Sequence, residues 1–266
     1  MKGDFNPKSA EKHIVQGIKH YVRESLHRGV VLGVSGGVDS ATCAMLAAKA
    51  VGRKSVLGLI MPNGDGFPKE VDDAIEIAKK VGIGYKIINI KPATEALESL
   101  LENVSGKKCN RVDSGNVAAR TRMIALYDAA SCKKYLVLGT GNKTELLLGY
   151  FTKYGDGGAD LLPIGDLYKW QVKELAKSLG VPERIIKKKP TAGLWAGQTD
   201  EGEFGFSYDF ADKVLWMFVE NELDGNEIIR AVGNEKGVKK IYRMVKTTSH
   251  KRNPPRIFSL KANMWK

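Results

Sequence analysis

One stretch limits what this chain can fold into more than any other: Gly29-Val-Val-Leu-Gly-Val-Ser-Gly-Gly-Val-Asp-Ser40, an apolar strand that enters a glycine turn and leaves as a helix over Ser40–Val51. Gly36 and Gly37 have no Cβ, so the turn can bring successive backbone N–H groups against a bound anion, and the helix N-terminus behind them adds partial positive charge. The stretch is a phosphate cradle. Its type is narrowed by what it lacks: no lysine precedes Ser40, as Gly-x-x-x-x-Gly-Lys-Ser/Thr would require, and no Gly-x-Gly-x-x-Gly is present in it. Asp39 stands before Ser40 instead, an acid that repels phosphate unless a cation lies between them. Asp39 therefore implies Mg²⁺.

Four short apolar runs, Val30–Val34, Ser55–Met61, Tyr85–Ile90 and Tyr135–Thr140, alternate with helical patterns at Ser40–Val51, Pro68–Val81, Thr94–Asn103 and Ser114–Cys132. Such alternation predicts an α/β fold with a doubly wound parallel sheet flanked by helices, its ligands at the carboxyl ends of the strands. Pro7–Leu26 has the three- and four-residue apolar spacing of a helix laid on that sheet, and the chain turns helical beyond about residue 208. We expect one domain over residues 1–266.

Lys and Arg number 42 against 30 acids, a net charge of +12, and between Lys236 and Lys266 there are ten basic residues and no acidic one. A basic crevice for a small polyanion comes first, ahead of nucleic acid; the blander alternative is a solvated helix face at Lys236–Lys246. Cys43, Cys109 and Cys132 are too far apart for a paired zinc site or a disulfide framework and read as reduced. No signal-peptide run opens the chain and no membrane-length apolar segment occurs, so a cytoplasmic protein without membrane contact is expected.

Leu138-Gly-Thr-Gly-Asn-Lys-Thr-Glu145 repeats the plan of the first loop: strand, glycine turn, acid. With both strand ends facing one crevice, Asp39 and Glu145 can hold one Mg²⁺ between them. Taken alone, Glu145 is as readily a helix-start acid. Gly149-Tyr-Phe-Thr-Lys-Tyr-Gly-Asp-Gly-Gly-Ala-Asp160 follows, with the composition of an exposed binding loop.

Ser35-Gly-Gly-Val-Asp-Ser40 resembles the pyrophosphate loop of the N-type ATP pyrophosphatases, whose fold is Rossmann-like, of the adenine nucleotide alpha hydrolase type. Gly115–Met123, Gly139–Lys143, Tyr150–Gly158, Pro190-Thr-Ala192, Gly197–Glu201 and His250-Lys-Arg252 are in turn similar, in order and over nearly the whole chain, to ammonia-dependent NAD synthetase. The resemblance implies that ATP adenylates the nicotinate carboxylate of deamido-NAD, that pyrophosphate leaves, and that ammonia displaces AMP to give NAD. It further implies that Gly33, Val34, Ser35, Gly36, Gly37, Val38, Asp39, Ser40, Thr140, Lys169 and Thr191 contact ATP. Asp39 and Glu145 would ligate Mg²⁺, and Arg120, Lys153, Asp160, His250 and Lys251 would hold deamido-NAD. Asp156 is the candidate for steering ammonium and taking its proton, against the alternative of an acid that caps a glycine turn. Thr191–Ser207, with Trp195 and three acids, reads as a mobile lid that keeps water from the acyl-adenylate.

The family completes its site across a homodimer, which implies that Val117, Ile124 and Tyr127 of the Ser114–Cys132 helix meet a symmetry mate; burial against the chain's own sheet is the alternative. Asn63-Gly-Asp-Gly-Phe-Pro68 departs from the acid- and glutamine-rich loop of bacterial members. Glutamine-dependent members carry an added amidase domain for which 266 residues leave no room, so ammonia is the expected nitrogen donor. Rivals are a tRNA-modifying ATP pyrophosphatase, a GMP synthetase and a non-catalytic RNA- or nucleotide-binding protein. The first two share the phosphate loop but leave the later motifs unexplained, and a binding module has little use for paired metal carboxylates.

Overall fold

The computed structural model describes residues 5–64, 68–191, 193 and 197–259. Helix α1 (Pro7–Glu24) starts where Asn6 accepts a hydrogen bond from the Ser9 amide and Pro7 presets the first turn. Then come β1 (Val30–Gly33), α2 (Val38–Val51), β2 (Val56–Ile60), α3 (Pro68–Val81), β3 (Gly84–Ile87), α4 (Lys91–Ser105), α5 (Arg111–Lys133), β4 (Leu136–Val137) and α6 (Lys143–Leu148). After a long loop the chain is helical: α7 (Lys169–Leu179), α8 (Glu183–Ile186), α9 (Asp200–Phe204), α10 (Tyr208–Val219), α11 (Gly225–Val232), α12 (Glu235–Thr247) and α13 (Ser249–Arg252).

The strands are all parallel, in the order β3-β2-β1-β4. Central β1 pairs Val30 with Val56 on one side and with Leu136 on the other, and Val30, Val31 and Leu32 are wholly buried. Successive side chains of a strand point to opposite faces, which is why this continuous apolar run feeds two cores. Val30, Leu32 and Val34 pack with residues of α1, α2 and α7, while Val31 packs with Leu59, Met61 and Val137 against Ala118 and Ala130 of α5. The doubly wound sheet inferred from the alternation is the observed one. Each fully buried aliphatic side chain here contributes about 1.5–3 kcal/mol.

A third core gathers Leu148, Tyr168, Trp170, Phe204, Tyr208, Val214, Leu215 and Ile241. Helix α7 joins it to the sheet, since Trp170 lies in the third core and Val172 and Leu175 lie in the first. The helix therefore has a fixed position relative to both.

The element boundaries differ from expectation in two informative places. Helix α2 begins at Val38 with Gly37 as its cap, so Asp39 sits in the first turn, where the helix dipole favours a carboxylate. Strand β4 stops at Val137, because beyond it the chain pairs with residues 160–161: Asp160 N–H donates to Val137 O at 2.9 Å and Gly139 N–H to Leu161 O at 2.9 Å. Periodicity in a single run cannot foresee that returning loop.

Candidate active site

The loop between β1 and α2 is shaped as a cradle by its neighbours. Gly36 has φ +76°, and a Cβ there would lie 2.6 Å from Glu70 O and 2.8 Å from Asp73 Cβ of α3. Only glycine fits this position. Ser40 Oγ accepts from Ser35 N–H at 3.2 Å and donates to Gly37 O at 3.1 Å, which holds the turn closed from below.

The second loop, between β4 and α6, is organised by Asn142. Its side chain caps α6 by accepting from Glu145 N–H at 3.0 Å, and its own N–H donates to Glu145 Oε2 at 3.2 Å, a reciprocal capping box. The remaining donor, Nδ2, reaches across to Asp39 Oδ1 at 3.1 Å. Asn142 is wholly buried, and it ties the two acids together. Glu145 is thus both the helix-start acid and the partner of Asp39.

Between the two acids lies Lys169, the first residue of α7. Its Nζ is 2.5 Å from Asp39 Oδ2 and 3.1 Å from Glu145 Oε1, with the Tyr208 ring centroid 4.9 Å away. Tyr208 OH donates to Asp200 Oδ2 at 2.8 Å and touches Glu145 Oε1 at 3.4 Å. The lysine side chain is 3% exposed, those of Asp39 and Glu145 19% and 17%. Burial pushes the Glu145 carboxyl up, Lys169 pulls it down and Asp39 pushes it up again. For Lys169 burial alone would lower the value, but the two carboxylates reverse this and hold the ammonium charged.

Two carboxylates converging on one cationic atom are the donor set that a hard divalent ion takes when substrate phosphates and water complete its shell. No group of three or more His, Cys, Asp or Glu among the described residues could cage a metal unaided. The site fits a metal that arrives with a phosphate ligand.

A cavity of about 510 Å³ opens from this centre. It is lined by Gly33, Val34, Ser35, Gly37, Val38, Asp39, Ser40, Thr140, Glu145, Lys169 and Thr191, so every residue expected to meet ATP except Gly36 borders it. Asp156 and Lys251 border it at the other side. Asp156 is exposed to solvent, and the protein packed near its carboxyl raises it above the ordinary value, against the hydrogen bond from Thr152 N–H at 2.8 Å and the charges of Lys251 and Arg122. A depression of about 550 Å³ beside α1, lined by Lys8, Glu11 and Lys49, holds none of these groups.

Arg120, Lys153, Asp160 and His250 do not border the cavity. Arg120 donates to Lys153 O at 3.4 Å and Lys153 Nζ to His250 O at 2.7 Å, so three of them form a cluster on the outer surface. Asp160 braces β4, accepting from Val137 N–H at 2.7 Å and Tyr127 OH at 3.2 Å. Burial and the Asp160 charge push the Tyr127 hydroxyl up to about 12. Of the three α5 residues expected at a symmetry mate, Val117 is buried and Tyr127 packs on the chain's own sheet, leaving Ile124, 58% exposed. The sheet-facing alternative holds for Tyr127, and Val117 is covered within the chain.

The segment expected as a lid is divided. Asp200 and Phe204 of α9 are buried, and Tyr150 OH donates to Glu203 at 2.7 Å and Asp200 at 3.2 Å, so this half is anchored in the third core. Trp195 lies outside the described residues, as do residues 65–67 of the departing loop. Part of the basic tail has a structural task as well. Lys251 Nζ donates to Gly149 O and Phe151 O at 2.8 Å, and Arg252 to Leu147 O and Val245 O, which satisfies carbonyls around the ends of α6 and α12. Gly149, φ +68°, is packed so closely on Thr248 that a Cβ would lie 2.2 Å from it.

Arg122 was not singled out from sequence. It borders the cavity, and its Nε–H donates to Met61 O at 3.0 Å. Asn142 and Tyr208 are further site residues that the sequence reading does not single out, and Asp200, one of the three acids of the expected lid, is found bonded to Tyr208; Asn142 had a signal, the Asn-x-x-Glu spacing of a capping box.

A family model for NAD synthase matches residues 10–255. The chain belongs to the NAD synthase family. The NH(3)-dependent NAD(+) synthetase of Pyrococcus horikoshii is 49% identical over 243 residues, 91% of this chain and 92% of that one. Among solved structures, the NH3-dependent NAD synthetase of Campylobacter jejuni in complex with nitrate is similar at 32% identity with a TM-score of 0.81, covering 96% of this chain and all of that one. The NMN synthetase of Francisella tularensis has 36% identity and the same TM-score, covering 98% of this chain and all of that one. The NAD synthase motifs lie where the fold converges: the first glycine loop ends β1, the second follows β4, and Tyr150–Gly158 closes the far wall of the cavity.

Proposed function

We propose that this NAD synthase-family protein is a ligase that amidates deamido-NAD with ammonia at the expense of ATP, releasing AMP and pyrophosphate, with Mg²⁺ held by Asp39 and Glu145. The observation that carries the reading is the convergence of these two carboxylates, from two strand ends, beside the phosphate loop and in one cavity. A carboxylate repels nucleophiles and leaves poorly, so the reaction needs adenylation first; the phosphate loop amides and Ser35 and Ser40 then hold the triphosphate while the substrate carboxylate attacks its α-phosphorus. The metal would neutralise charge on the departing pyrophosphate.

Asp156 then accepts the proton of ammonium, a task its more basic carboxylate at the cavity wall suits, so that ammonia attacks the acyl carbon and AMP leaves. Lys251 would neutralise the dinucleotide's charge at the same wall. Arg120, Lys153 and His250 lie outside the cavity, which supports a homodimer in which a second copy extends the deamido-NAD site. Leu100, Val104, Val112 and Ile124, each at least 58% exposed on α4 and α5, give such a contact an apolar surface. No helix among the described residues is long and apolar enough to cross a membrane.

The test is NAD and pyrophosphate formation by purified protein with ATP and Mg²⁺, comparing ammonium with glutamine and deamido-NAD with nicotinate mononucleotide. NAD and pyrophosphate in equal amounts with ammonium, lost in Asp39→Ala, are expected. Amidation of the mononucleotide alone would move the substrate, and absence of any amide product would overturn the assignment.

A further inference from the structure

Lys169 fills the position between Asp39 and Glu145 that the metal would take. Magnesium needs oxygens at about 2.0–2.1 Å in near-octahedral array, and an ammonium already within hydrogen-bond distance of both carboxylates leaves neither the space nor the charge for a divalent ion beside it. The lysine is not held there by chance: it is nearly closed to water, Asn142 fixes both acids, and the Tyr208 ring faces the ammonium.

Building on the metal assignment above, we propose that Lys169 is an exchangeable internal counterion. In the nucleotide-free protein it occupies the metal position and keeps two half-buried acids from repelling each other. When a nucleotide arrives with its metal, the metal takes the carboxylates and the displaced ammonium turns on its flexible stem to the phosphates in the same cavity. Metal and lysine exchange partners, so metal affinity is low until phosphate is present to receive the lysine, and the nucleotide-free enzyme does not hold a metal. This couples metal binding to nucleotide binding through one side chain.

The proposal is tested without turnover, by titrating Mn²⁺ into nucleotide-free protein and following the free ion by electron paramagnetic resonance. Lys169→Met should bind one Mn²⁺ at least tenfold more tightly than wild type, and its melting temperature, lowered by the exposed repulsion of the two acids, should rise with Mn²⁺ while that of wild type does not move. Adding Asp39→Asn to Lys169→Met should abolish the binding, which locates it. Lys169→Gln, which keeps a donor, serves if the methionine variant does not fold. Tight Mn²⁺ binding by nucleotide-free wild type, lost in Asp39→Asn, would overturn the proposal whatever the lysine variants do, since metal and lysine would then coexist. Equal Mn²⁺ affinity in wild type and either lysine variant would overturn it too. None of these readings depends on which nucleotide the enzyme amidates, so failure here and failure of the functional assignment are separate results.

Discussion

Asp39, Glu145, Lys169 and Asn142 hold one another through hydrogen bonds of 2.5 to 3.2 Å, the lysine and asparagine buried and the two acids half-buried, whereas Arg120, Lys153 and His250 lie on the outer surface and are linked through backbone carbonyls. The contrast follows from the cost of burying charge. A buried ion must be partnered in the free protein or it destabilises the fold, so the metal end is assembled before any ligand arrives. A solvated cation has no such requirement, and its charge remains available. The metal end of the crevice is therefore preorganised within a single chain, whereas the cluster outside the crevice is a loose set of donors that a ligand, or a second copy, would have to complete.

The largest effect should come from the preorganised end. Asp39→Ala removes half of the metal pair and one of the two anions on Lys169, and kcat/KM should fall on the order of 10³, several kcal/mol of transition-state stabilisation. A variant within tenfold of wild type in a pyrophosphate-release assay would mean that the pair only holds Lys169 in place. Gly36→Ala should cost about 2–3 kcal/mol, because the new Cβ meets both a positive φ and the Glu70 carbonyl. Gly180→Ala separates the two causes: φ is +81° there but nothing lies within 4 Å of the added carbon, so its cost should stay near 1 kcal/mol. Urea midpoints of the two proteins give the difference, and equal midpoints would show that the α3 contact can yield.

Much of the preorganised end is legible in the sequence, and the reason is local. Ser35-Gly-Gly-Val-Asp-Ser40 contains its own turn, cap and acid within one strand-to-helix unit, so its chemistry depends little on what packs around it. Alternating apolar runs set the parallel sheet for the same reason. Lys169 is different. Its place between two acids depends on α7 being pinned by Trp170 on one side and Val172 on the other, a long-range arrangement with no trace in the residues beside it. Tyr208 is illegible for that reason too, as is its bond to Asp200. The apolar side of α5 could not be read from spacing alone, because Tyr127 packs on the sheet and Val117 is buried while Ile124 is exposed.

The support beneath the preorganised end should show in the pH dependence of stability. Asp212 is buried under α6 and α7, accepting from Thr144 Oγ1 at 2.5 Å and from Trp170 N–H at 2.9 Å, and its burial pushes the carboxyl up to about 6. A raised carboxyl value in the folded state favours the protonated form, so its contribution is complete below the unfolded value near 4 and is lost as pH rises through about 6. Asp212→Asn, neutral throughout, should lose this slope, on the order of 2–3 kcal/mol between pH 4 and 7, apart from a constant offset for the altered hydrogen bond. Parallel stability curves for the two proteins across that range would show that Asp212 stays ionised in the fold.

The smallest effect is expected at the loose end, and there the comparison can be broken most directly. Arg120 is exposed, and among the described residues its one hydrogen bond is a long one to Lys153 O and it makes no ion pair. Arg120→Ala should leave the melting temperature within about a degree of wild type, since surface changes away from special features cost at most about 0.5 kcal/mol. The apparent KM for deamido-NAD should rise roughly tenfold, equivalent to about 1.4 kcal/mol, with the KM for ATP unchanged. If the arginine acts only as a partner of Lys153, Arg120→Lys should behave like wild type; if it reads a phosphate or carboxylate with its planar fork, the lysine should recover little. A change in the ATP constant would join the two ends, because a side chain outside the cavity would then be shaping the phosphate loop. Running the assay across protein concentrations adds the remaining distinction: a deamido-NAD constant that worsens on dilution, in wild type but not in Arg120→Ala, places the arginine's contribution in an assembly of two chains.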